Sequence, residues 1–223
     1  MRLGQAIGAM VVAGLVAGCG QSMAGSSRAD AGHGMAMTTP SSAGKAAGLR
    51  ASLNTLLQEH VYLAAAATGA ALDGREAEFK AAAGALDENS LAIAKAVGSV
   101  YGAEAEQAFL PLWRRHIGFA VDYTVGVATR DRAKQDQAVQ DLIGYTNDLG
   151  AFLAAASPGL PKPVVADLVK HHVVTLKSVI DAQATRDPAR AYAALRAAAG
   201  HMQQIADPLA DAIVAQFPDR FRG

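Results

Sequence analysis

Cysteine is almost missing from this chain: one stands at position 19, with no second to pair with it. No disulfide within the chain can brace the fold, and the lack of further thiols suits a compartment outside the cytoplasm, where a free thiol is a liability. Aromatic residues make up only 5%, so a core must be assembled from Ala, Leu, Val and Ile. Ala and Leu are strong helix formers, and small Ala side chains let helix axes approach. Neither sign of charge dominates, with 20 basic and 20 acidic residues and no long run of one sign. That balance speaks against a nucleic-acid partner, which wants a basic face, and against charge-driven recruitment to anionic lipid. No stretch sustains a two-residue alternation rich in β-branched residues, so a sheet is not expected. Catalytic motifs are also missing. There is no Glu-x-x-His pair, no Cys-x-x-Cys-His, no His-Glu-x-x-His and no glycine-rich phosphate loop. Ser90 and Ser178 fall in helical stripes rather than at a strand-to-helix elbow. Nothing here supports an enzyme.

The N-terminus, MRLGQAIGAMVVAGLVAGCG, joins an Arg at position 2 to an apolar run from about Ala6 to Val16 and then to Ala17-Gly18-Cys19. A positive start, a short apolar segment and small residues before a cut describe a secretory signal. The run is shorter than the ~20 apolar residues needed to cross a bilayer. Leu15-Val16-Ala17-Gly18-Cys19 resembles the lipobox of bacterial lipoproteins. That resemblance covers the first 19 residues only. It implies that residues 1–18 are a signal peptide and that Cys19 is lipidated and becomes the mature N-terminus. The protein would then be extracytoplasmic and held on a bacterial membrane by its lipid. In a host with an outer membrane, Gly20 rather than Asp after the cysteine resembles the sorting signal for that membrane.

Residues 19–45 are rich in Gly, Ser, Ala and Thr without apolar periodicity, and are expected to form a flexible tether. Within it His33, Met35 and Met37 bring one imidazole and two thioethers together, a weak metal hook in a segment where small residues and chance methionines explain the composition as well.

From about residue 46 the pattern is helical. Leu53, Leu56, Leu57, His60, Leu63 and Ala67 recur at spacings of three and four, and Leu86, Asn89, Ile93 and Val97 form a second stripe beyond Asp73-Gly74. Trp113, His116, Phe119 and Tyr123 repeat the first stripe, Asp131 breaks it, and Leu142, Tyr145, Leu149 and Phe152 repeat the second. After Ser157-Pro158-Gly159 the cycle returns with Val165, Leu168, His172, Thr175 and Val179, a break at Asp187-Pro188, and Leu195, Ala198, His201, Ile205 and Leu209. The string ATRD occurs at 128–131 and again at 184–187. The expected fold is all-α: a six-helix domain over 46–217 built from three helical-hairpin repeats of about 56 residues, with a C-terminal tail at 218–223. Asp73, Asp131 and Asp187 read as helix caps. Pro208 is expected to kink the last helix or to start a short final one.

His60, His116 and His172 are spaced 56 residues apart, each on the apolar stripe of its helix. The residues before them, Glu59, Arg115 and His171, fall about 100° round the helix and are expected to face outward. In an antiparallel hairpin the positions 29 residues later, Asn89, Tyr145 and His201, return to the same height. Six polar side chains at one level of an apolar bundle would cost roughly 1–3 kcal/mol each if left unpaired, so they must bind one another, water or a ligand.

Two readings follow. In one, the layer is a binding site: converging neutral imidazoles suit copper or zinc, and two on facing helices can hold a haem iron. In the other, the protein is a non-catalytic structural or interaction module of the cell envelope, with a protein partner there, and the layer only fixes helix register. The choice turns on association. Hairpins closed around one axis bring the histidines together, whereas an open solenoid spaces them by the 8–10 Å between helix axes.

Overall fold

The computed structural model describes residues 42–222. The signal peptide, Cys19 and the His33, Met35 and Met37 group lie outside these residues. Seven helices and no strand occur among the described residues: α1 (Ser42–Leu72), α2 (Glu76–Tyr101), α3 (Ala103–Thr129), α4 (Arg132–Ala156), α5 (Lys162–Ala184), α6 (Pro188–Gln216) and α7 (Pro218–Phe221). The fold is all-α. Helix α1 begins a turn before the expected boundary near 46, and the expected tail holds the short helix α7.

The breaks follow local chemistry. Arg130 and Arg186, the third residues of the two ATRD strings, adopt left-handed backbone with φ of 59° and 56°. The aspartate after each caps the next helix: Asp131 accepts from the Lys134 amide at 3.0 Å and Asp187 from the Arg190 amide at 2.9 Å. Asp73 departs from expectation. Here Gly74 takes the left-handed residue, with φ of 71°, which lengthens the turn and leaves Arg75 as the N-cap of α2 without a side-chain cap bond. Asp73 instead pairs with the Arg75 guanidinium. Pro208 does not end α6, which runs on to Gln216. It is exposed, so the backbone bond it forfeits lies on the solvent side, where water can serve the freed carbonyl.

The helices close into a ring. Each packs on its sequence neighbours, α6 packs back on α1, and α1, α3 and α5 also touch one another at the centre. Closure is pinned by Asn54 donating to Asp207 at 2.9 Å and by Arg50 pairing with Asp207 and Asp211. The open-solenoid arrangement is thereby excluded for the described residues. Two apolar clusters fill the interior. Leu53 and Leu57 of α1, Phe109 and Trp113 of α3, and Val165 and Val169 of α5 belong to the larger one. Ala64, Tyr123, Leu176 and Ile180 belong to the smaller. On α3 and α5 the 56-spaced histidine is preceded by residues of the larger cluster and followed by Tyr123 or Leu176 of the smaller, whereas His60 on α1 lies between Leu57 and Val61, both of the larger cluster.

Candidate metal centre

The stripe that buries each inner helix also points its histidine at the bundle axis. His60, His116 and His172 are 1%, 4% and 7% exposed. Their ring nitrogens, one from each of three helices, all lie within 4.8 Å of one another. His60 and His116 approach at 3.3 Å between their Nε2 atoms, one donating and the other accepting. The His60 ring centroid lies 5.2 Å from that of His116 and 5.7 Å from that of His172. His171, the residue next to His172, is exposed as expected.

Polar brackets fix this geometry. Gln183 of α5 donates to the Ala65 carbonyl of α1 at 2.8 Å and accepts from Thr68 at 2.8 Å. Tyr123 of α3 donates to Asp181 of α5 at 2.6 Å, and Lys177 holds the other oxygen of that carboxylate at 2.7 Å. These contacts tie α5 to both other inner helices one to three turns beyond the histidines.

The remaining members of the expected layer are buried but do not join the three. Asn89 donates to the Leu56 carbonyl at 3.0 Å and to Glu59 at 2.7 Å. His201 sets Nε2 2.9 Å from the Leu168 carbonyl and Nδ1 3.2 Å from the Gln204 side-chain oxygen. Each therefore turns back to the first helix of its own pair, bonding the second lone pair of the helix carbonyl four residues before the histidine. His201 also stacks on His171, with centroids 4.1 Å apart. Tyr145 lies against the group, its ring stacked on His116 at 4.8 Å. Its hydroxyl has no hydrogen-bond partner among the described residues. Trp113 forms a wall of the site, 4.9 Å from His60 and 4.6 Å from His116 between ring centroids. Its place one turn before His116 is visible in the sequence, but its reach to His60 depends on how α1 and α3 pack.

Burial dominates the electrostatics. It pushes the His60 pKa well below the usual histidine range, helped by repulsion from His116 and His172. Burial, then repulsion by His172, lowers His116 to about 3, with the Trp113 backbone acting the other way. Burial and then His201 lower His172 to about 4. All three are neutral imidazoles at neutral pH, with lone pairs available. Burial raises the pKa of the Tyr145 phenol, which stays protonated. Nδ1 of each of the three histidines lacks a hydrogen-bond partner among the described residues.

Two ligand nitrogens on a metal at about 2.0–2.1 Å in tetrahedral geometry stand about 3.3–3.4 Å apart. The His60–His116 separation of 3.3 Å already meets that spacing. His172 would have to close a separation of at most 4.8 Å to join the same shell. A haem fits poorly, because imidazoles this close leave no room for a macrocycle between them. No helix of the described residues is long and apolar enough to cross a membrane. No protein-family model matches the chain, and neither the curated proteins nor the solved structures compared with it give a match.

Proposed function

We propose that this protein is a lipid-anchored, extracytoplasmic metal-binding protein that holds a copper or zinc ion between His60, His116 and His172. The observation that carries the reading is the meeting of three neutral imidazoles from three helices within 4.8 Å, inside an apolar core. Membrane attachment through Cys19 rests on the lipobox resemblance of residues 15–19. The domain is read as three hairpin units of about 56 residues. Asn89 to Leu56 and His201 to Leu168 support this as the same contact, each spanning 33 residues.

The chain without residues 1–19, exposed in turn to copper, zinc and iron and then freed of excess, should retain about one ion. That ion should raise the melting temperature, since a ligand bound only to the folded state stabilises it. His60→Ala, His116→Ala and His172→Ala should each abolish both effects. The hydrogen bond between His60 and His116 favours a second reading, in which the layer only sets helix register and an envelope protein is the partner. Absence of retained metal and an unchanged melting temperature would select that reading.

A further inference from the structure

Metal sites differ in how they manage the charge of the ion, and here nothing manages it. The three-histidine group contains no carboxylate or thiolate. Its walls include the rings of Trp113 and Tyr145. In such an interior the cost of a bare ion grows with the square of its charge, about fourfold from a monocation to a dication. A zinc site answers with four ligands, often one of them an anion or a solvent-fed water. Asn89 and His201 are bound back to neighbouring helices. Metal-ligating histidines usually donate their second N–H to a carboxylate or carbonyl, and a carboxylate there would also offset part of the ion's charge. No carboxylate bonds Nδ1 of these histidines among the described residues, and only His116 has a backbone group, that of Trp113, acting on its ring.

We infer that the site selects monovalent copper, held in three-coordinate fashion by His60, His116 and His172, over divalent zinc. This rests on the group being a metal site at all. Neutral imidazoles suit copper, and a monocation keeps only one uncompensated charge in the core. Trp113, the one tryptophan of the chain, lies beside two of the ligands and reports on occupancy.

The test uses the full chain carrying Cys19→Ser in detergent, so that no thiolate competes, kept anaerobic with ascorbate. Cu(I) affinity is read by competition with a chromophoric Cu(I) chelator, and Zn(II) affinity with a zinc-chelating dye. The inference expects one Cu(I) per chain, a change in Trp113 fluorescence, and Cu(I) bound at least 100-fold more tightly than Zn(II). His116→Leu should weaken Cu(I) binding by 100-fold or more while the residues of the tether stay intact. Should that variant unfold, His172→Leu serves instead, since it leaves the His60–His116 pair in place. Zinc bound one per chain, lost in the variant and as tight as Cu(I), would overturn the copper preference and leave the metal reading standing. Binding of neither ion, or binding untouched by both variants, would overturn the metal reading as well.

Discussion

Lowering the pH of the metal-free protein from 7 to 5 asks three buried imidazoles to take up a proton that the folded state refuses. In the unfolded chain each titrates near 6.5. In the folded one His116 is lowered to about 3, His172 to about 4 and His60 well below the ordinary range. The unfolded state therefore binds more protons, and stability that is full above pH 6.5 drains away as the pH falls toward the folded values. With the folded histidines still neutral at pH 5, each loses about 1 kcal/mol between pH 6 and 5, and the three about 3–4 kcal/mol together. From pH 7 to 5 the loss is about 5–6 kcal/mol, comparable with the whole stability of a typical domain at about 5–15 kcal/mol. Urea unfolding in the presence of a chelator, followed by the fluorescence of Trp113, measures this at each pH. His172→Leu removes one titrating group and keeps the His60–His116 hydrogen bond, so its pH slope should be about two thirds of the parent's. A stability independent of pH between 7 and 5, or an equal slope in the variant, would refute the placement of these rings in the dry core.

Other consequences are smaller in scope. Replacing His60 or His116 by Ala should cost the metal-free protein roughly 1–3 kcal/mol, because the surviving partner is left without its bond; His171→Ala should cost under about 1 kcal/mol and leave metal uptake unchanged, as denaturation and metal analysis would show. Asp131→Ala and Asp187→Ala should each cost about 1 kcal/mol through loss of a cap, whereas Asp73→Ala should shift the unfolding midpoint less than either; equal shifts at all three would contradict the turn geometry. Cys19→Ser should release the protein from membranes or leave an uncut precursor, and unchanged attachment with normal processing and no acyl mass would sink the lipid anchor.

Most of this architecture is written in local patterns that survive folding unchanged. The ATRD strings show two turns because a left-handed Arg followed by a capping Asp is settled within four residues. Asp73 looks the same in sequence, yet Gly74 takes the left-handed position and displaces it from the cap. The inward aim of His60, His116 and His172 follows from the stripe each occupies. Their meeting does not, since the same stripe serves a closed ring or an open stack. Only the packing of α6 on α1 decides it. The spacing of Asn89 and His201 shows their height along the hairpin but not their partners, because the carbonyls of Leu56 and Leu168 that they bond belong to a neighbouring helix. Trp113 reads as one more core residue until α1 and α3 set it beside two imidazoles.

X-ray absorption at the edge of the bound metal is the most direct measurement on the central claim, that these three histidines form one coordination shell. The account predicts about three nitrogen neighbours near 2.0 Å with the outer-shell scattering of imidazole rings, and loss of that pattern in His116→Leu. A shell made mainly of oxygen, or a spectrum unchanged by His116→Leu, would contradict it.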